Sequence, residues 1–193
     1  MNEFNKAAEG DKSLAKMMAD FGTKLANSDN DYNSNGYDEL ARAGYYLNTV
    51  WPLKRNDAED CWDTAYNLEN LANSCQCHMA DIADSDFIDA LYAKFEEVLR
   101  EGVERFPTFL KIKGYLADCI IRKNDRNQTD SYDEAVDILL EMIALAGEGD
   151  DEEAEYTLWT TYLGSAGKLK LESMEMPQWA RAERPDFNGF RYT

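Results

Sequence analysis

The residues with the greatest chemical potential in this chain are Cys75-Gln76-Cys77-His78, with Cys61 upstream. Thiolate and imidazole are good zinc ligands, so the cluster invites a metal reading. The spacing argues against it. On a continuous helix Cys75 and His78 share a face, while Cys77 points about 200° away from Cys75. Cys119 is isolated and His78 is the sole histidine, so no second ligand pair stands at ligand spacing. Cys61 and Cys75 also fall in an apolar seam, where free cysteine behaves as a small hydrophobe. No metal and no cofactor is expected.

Asp31-Tyr32-Asn33-Ser34-Asn35-Gly36 matches the first half of a calcium loop, with oxygen ligands at alternate positions and glycine at the sixth. The second half fails. Arg42 stands where a bidentate Glu belongs, and Asp38 takes the usual apolar place. The preferred reading is an Asn-Gly turn leading into a helix cap. A Cys–His dyad using His78 finds no third group in its flanks to orient the base. A single histidine cannot furnish the paired Glu-x-x-His ligands of a di-iron bundle. Gly-rich phosphate loops and serine elbows are absent from the sequence, and carboxylate pairs are too abundant to be diagnostic. No catalytic residue is assigned, and the chain is read as a non-enzyme.

The acid is unevenly placed. Between Arg55 and Lys94 there is no Lys or Arg, while Asp57, Glu59, Asp60, Asp63, Glu69, Asp81, Asp84, Asp86 and Asp89 all fall in that gap. A second block, residues 125–160, carries twelve carboxylates against the single Arg126. These stretches account for the whole net charge of -18. Acidic residues at helix N-termini are ordinary dipole partners, and Asp57, Asp84, Asp86 and residues 150–153 are placed that way. Exposed helices nevertheless mix signs to gain i,i+4 pairs, and this gap has no basic residue. Such a surface repels itself, steers basic partners toward it, and disfavours phosphate backbones.

The elements that must position these residues are helical, with no run of period-two alternation. A first helix is expected from about Ser13, with Leu14, Met17, Met18, Phe21 and Leu25 on one stripe. A second runs from about Tyr37 to Val50 and is stopped by Trp51-Pro52. The third and longest is capped by Asp57. Its positions Cys61, Ala65, Leu68, Ala72, Cys75, Met79 and Ile82 alternate at spacings of four and three, a seam of residues small enough for close packing. Ser85 is expected to cap a fourth helix bearing Ile88, Leu91, Phe95, Val98, Leu99, Gly102 and Phe106. Pro107 is expected in the first turn of a fifth, which buries Leu110, Ile112, Leu116, Cys119 and Ile120. Ser131-Tyr132-Asp133-Glu134 reads as a capping box for a sixth helix with Ala135, Leu139, Leu140 and Ile143 inward and Gly147 as its stop. Residues 150–155 open a seventh helix through Trp159, Tyr162 and Leu163. The fold expected is an all-α antiparallel bundle of six or seven helices.

Residues 1–167 are read as one domain. Residues 168–193, with Lys168, Lys170, Arg181, Arg184 and Arg191 among Pro177, Trp179, Pro185, Phe187, Phe190 and Tyr192, are read as an aromatic, near-neutral C-terminal arm. The hydrophobic fraction of 44% is ample for a core. The N-terminus has no apolar run, no stretch approaches the roughly 18 apolar residues that span a bilayer, and four cysteines suit a reducing compartment. A cytoplasmic, soluble protein is expected, with no membrane partner.

Phe95, Leu99, Gly102 and Pro107 sit at the spacings of the second helix and closing proline of a tetratricopeptide repeat. Ala117 falls where the next repeat places a small residue, and Tyr132-Asp133-Glu134-Ala135 resembles the start of its second helix. Residues 95–146 thus resemble tetratricopeptide-type hairpins, with a loop at residues 123–130 about six residues too long for the ~34-residue period. The resemblance implies a helical scaffold that binds peptides or proteins.

Two functional expectations follow. The first is an acidic interaction protein that docks on a basic, nucleic-acid-binding protein and competes with the polyanion there. Its partner-binding residues would be Asp57, Glu59, Asp60, Asp63, Asp81, Asp84, Asp86 and Asp89, with Asp150, Asp151, Glu152, Glu153 and Glu155 in the second block. Small phage-encoded inhibitors of host nucleases or CRISPR-type complexes share this acidic composition. The alternative is a tetratricopeptide-like adaptor gripping a peptide in a groove of Tyr115, Tyr132, Trp159 and Tyr162.

Overall fold

The computed structural model describes residues 3–29, 31–53, 57–127 and 133–146. Among them every regular element is helical, and the order is α1 (Glu3–Ala26), α2 (Asn33–Tyr45), a π-helical turn (Tyr46–Val50), α3 (Trp51–Leu53), α4 (Ala58–His78), α5 (Ser85–Arg105), α6 (Leu110–Asn127) and α7 (Asp133–Ala146). The all-α expectation is met, with six helices longer than a dozen residues and the single turn of α3. The seventh helix expected after residue 150, the C-terminal arm, and the domain boundary at residue 167 lie outside the described residues. So do Ser131, Tyr132 and Gly147.

The described helices group into two compact units that divide between Phe106 and Pro107. In the first, α4 packs on α5 and α2, and α1 packs on α2 and closes against α5. Four long helices therefore surround one core. The stripes read from the sequence supply it: Leu14, Met18, Phe21 and Leu25 from α1, and Leu91, Phe95, Val98 and Leu99 from α5 are all buried. Cys61, Ala65, Leu68, Ala72, Cys75 and Met79 of the α4 seam are buried as well. Small residues let α4 approach its neighbours, and each large side chain buried adds about 1.5–3 kcal/mol. Phe21 meets Phe87 with ring centroids 5.0 Å apart, joining α1 to α5.

In the second unit α6 packs against α7. Ile112, Leu116, Ala117, Ile120 and Ile121 are buried on α6, and Ala135, Val136, Leu139 and Met142 on α7. Lys113, near the start of α6, reaches Glu141, late in α7, at 2.6 Å, which makes the pair antiparallel.

Several boundaries differ from expectation. Helix α1 begins at Glu3, ten residues before Ser13. Periodicity found no apolar stripe in Lys6-Ala7-Ala8-Glu9, yet these are strong helix formers and extend the helix on propensity. Helix α2 begins at Asn33, so Asn33 to Gly36 are already helical and the Asn-Gly turn does not form. The reversal comes earlier: Asn33 Nδ2 donates to the Ser28 carbonyl at 2.7 Å, and Ser28 Oγ bonds Asn33 Oδ1 at 2.9 Å. The chain also runs helically through Trp51-Pro52, where a stop was expected. A proline ring collides with the carbonyl four residues back. Here the preceding turn widens, with the Trp51 N–H bonding the Tyr46 carbonyl five residues back.

Helix α5 is capped by Asp84, not Ser85, and without a side-chain bond. The Asp84 carboxylate is taken instead by Lys24 of α1 at 2.5 Å. Pro107 belongs to the turn after α5, three residues before α6 begins, a common place for proline just past a C-cap.

Candidate functional site

The first acidic cluster is built by the start of α4. Asp57 is the N-cap, in extended conformation, and its carboxylate accepts from the Glu59 N–H at 2.9 Å. Glu59 is exposed and Asp60 half-buried in the first turn, where the helix dipole favours them. One turn on, Asp63 lies near enough to the Tyr46 phenol of the π turn for its charge to act on it. Burial, then the charges of Asp63, Tyr45 and Asp60, push the Tyr46 phenol above its ordinary range.

The second cluster lies at the other end of the hairpin. Asp81 sits in the α4–α5 turn, Asp84 caps α5, Asp86 is in its first turn and Asp89 follows one turn later; all four are exposed. Helix α4 has 21 residues, so about 30 Å of helix separates the clusters. The fold therefore divides the sequence's one acidic gap into two surfaces. It also supplies a counter-charge from outside the gap, since Lys24 reaches Asp84 from α1. With both side chains substantially exposed, that pair is worth no more than about 1 kcal/mol. Glu69 of the same gap is buried, facing the helix interface. Asp150, Asp151, Glu152, Glu153 and Glu155 lie outside the described residues.

The cysteines part company with the histidine. Cys75 and Cys61 are buried, whereas Cys77 and His78 are exposed at the end of α4. The His78 ring stacks on Tyr32, with centroids 4.5 Å apart. Among the described residues no three of His, Cys, Asp and Glu gather as a metal-ligand set. Burial raises the Cys75 thiol to about 12, helped by the Glu39 charge. Burial likewise raises Cys61 to about 11, against the opposing pull of Arg105. Thiolate is the reactive form. Brief maleimide treatment of the native protein at neutral pH is therefore expected to label Cys77 and spare Cys61, Cys75 and Cys119, as peptide mapping would reveal.

These thiols also set a pH dependence. A thiol whose folded pKa is raised above its unfolded value, near 9.0 here, favours the protonated native state. Its contribution is complete below pH 9 and is lost as pH rises through about 11 and about 12. Urea midpoints should fall steeply above pH 9. A Cys61→Ala/Cys75→Ala variant, less stable at neutral pH, should show a shallower alkaline decline. Parallel profiles for the two proteins would refute this account.

Sequence reasoning missed an aromatic surface beside the first cluster. Trp62 and Tyr66, four residues apart on α4, stack with centroids 5.1 Å apart and planes 10° from parallel. Glu59, Trp62, Asp63 and Tyr66 fall on one stripe of α4 by helical spacing. Tyr46, within reach of the Asp63 charge, carries Tyr45 edge-on at 5.6 Å. Tyr45 is 56% and Tyr66 42% exposed. The signal was present: Trp62 and Tyr66 flank the seam positions Cys61 and Ala65 without belonging to them. Of the groove expected for an adaptor, Tyr115 is half-buried on α6, and Tyr132, Trp159 and Tyr162 lie outside the described residues.

No helix among the described residues is long and apolar enough to cross a membrane. Comparison with protein-family models, curated proteins and solved structures finds no match to this chain.

Proposed function

We propose that this chain is a non-enzymatic interaction protein whose acidic helices dock on a basic, nucleic-acid-binding surface of another protein and occupy the place of the polyanion. The observation that supports it is the exposure of Asp57, Glu59, Asp81, Asp84, Asp86 and Asp89 at the two ends of one packed hairpin. Carboxylates held three or four residues apart on a helix lie about 5–6 Å from one another. A rigid array of this kind presents fixed anionic charge with little entropy left to lose on binding. Inhibition of a nucleic-acid-binding defence complex is one use of such a surface.

The test is capture on the immobilised protein with elution by a salt gradient, followed by competition with added DNA or RNA. The expected partner is a basic nucleic-acid-binding protein, released at moderate salt and displaced by nucleic acid. The triple variant Asp57→Asn/Glu59→Gln/Asp60→Asn is expected to weaken its capture by about tenfold, mainly through slower association. A partner that survives high salt and ignores nucleic acid would replace this reading with the helical adaptor. That second reading draws support from Gly102 and Ala117, both buried where repeat hairpins place small residues.

A further inference from the structure

The exposed rings beside the first acidic cluster are not explained by charge mimicry alone. A purely electrostatic face has no use for aromatic surface, and solvent-exposed Tyr45 and Tyr66 add none to the core. Their setting is specific. The Trp62–Tyr66 stack lies on the same stripe of α4 as Glu59 and Asp63, and the π turn that carries Tyr46 and its edge-on neighbour Tyr45 packs against α4, with the Asp63 charge acting on the Tyr46 phenol. Rings and carboxylates thus alternate along α4 and at the junction of α2 with the π turn, both of which pack on α4.

We propose that this surface receives arginine side chains from an extended basic segment of the partner, an inference that rests on the docking function above. Guanidinium is planar and weakly hydrated, so it can lie on an aromatic face while its N–H fork meets a carboxylate. An ammonium is a compact, strongly hydrated point charge that gains less from a ring. The surface therefore selects arginine over lysine, which a field of carboxylates alone does not.

Charge excludes the other occupants. Nucleobases stack on exposed rings, but Asp57, Glu59, Asp60 and Asp63 repel the attached phosphates. A second copy joined through a two-fold interface would bring the same carboxylates face to face, and like charges so placed cost several kcal/mol. An anionic lipid surface is repelled for the same reason.

The test uses the full-length chain and two fluorescent probes, nona-arginine and nona-lysine, titrated by anisotropy at about 150 mM salt, where long-range attraction is largely screened. Nona-arginine is expected to bind about fivefold or more tightly than nona-lysine, a ratio in keeping with one or two cation–π contacts. Tyr45→Ala and Tyr66→Ala, both at exposed positions, should bring that ratio close to one. Asp86→Asn/Asp89→Asn, at the far end of the hairpin, should leave the ratio intact while weakening both probes slightly. Circular dichroism midpoints confirm that each variant is folded.

Equal affinity for the two peptides, or a ratio that survives both tyrosine variants, overturns the arginine site. If binding then still falls with salt and responds to the acidic variants, the docking function stands without it. A dimer that dissociates on Tyr66→Ala would assign the face to a second copy and overturn the proposal. Failure of both peptides to bind would remove the arginine site. The docking reading would then be judged separately, by whether nucleic acid displaces its captured partner.

Discussion

Replacing Lys94 by methionine is expected to lower the stability of the folded chain by about 3–5 kcal/mol. Lys94 lies on α5 with its side chain only 5% exposed, an unusual place for an ammonium, and its Nζ contacts Glu97 at 2.8 Å. Glu97 is half exposed and follows three residues later on the same helix. Across the interface α4 contributes Glu69, also buried. The Tyr92 hydroxyl bonds to Asn73 and Gln76, which fixes the antiparallel register of α4 and α5. In that register Glu69 and Lys94 stand within about one helical turn of each other. Methionine preserves the shape of the lysine stem and removes only the charge. What remains is a buried carboxylate without its cationic neighbour, and such a group is far more costly than the intact pair is favourable. Urea unfolding measures the loss. Glu69→Gln combined with Lys94→Met should recover most of it, because the double variant buries no net charge. A neutral single variant would mean that Lys94 stabilises nothing beyond its surface contact with Glu97.

The second large effect is a pair of glycine substitutions on one helix with opposite signs. A Cβ at Gly36 would lie 2.6 Å from Met79 Sδ and 3.3 Å from Leu25 Cδ2. Both neighbours are completely buried, so neither can swing into solvent. Gly36→Val is expected to destabilise by about 3 kcal/mol, the upper part of the range for overpacking. At Gly44, eight positions along, the nearest atom to an added Cβ is Met18 Cε at an ordinary 3.7 Å. Gly44→Ala is expected to stabilise by about 0.5–1 kcal/mol through helix propensity alone. Thermal or urea midpoints of the two variants should move in opposite directions. If Gly36→Val matches the wild type, α2 does not approach α4 as closely as the contacts around Met79 require.

These two glycines show what a linear reading misses. From its neighbours, Gly36 reads as the sharp position of a turn, after three residues that favour turns. Its use is the close approach of α2 to Leu25 of α1 and Met79 beyond α4, residues 11 and 43 positions away. A short-range signal identified the need for a glycine and misassigned the reason. The Ser85 cap failed in the same way. Hydroxyl and aspartate are both good caps, and the Asp84 side chain was drawn off by Lys24, sixty residues earlier in the chain.

The sequence by itself determined the helical class, the inward stripes and the Asp57 cap. Each depends on residues within a few turns of one another, where spacing alone decides which side chains share a face. It also determined the total charge and its concentration in two blocks, which are properties of composition. Only the tertiary structure decided that the first block splits into two clusters about 30 Å apart, since that depends on α4 running its full length between them. Only packing decided that His78, one turn beyond the buried seam residue Cys75, is exposed and stacks against Tyr32. The rings of Tyr45, Tyr46, Trp62 and Tyr66 likewise come from α4 and from the junction of α2 with the π turn, which packs on α4 from earlier in the chain. Periodicity fixes the direction of a side chain from its own helix, while the neighbour it meets is chosen by how the helices pack.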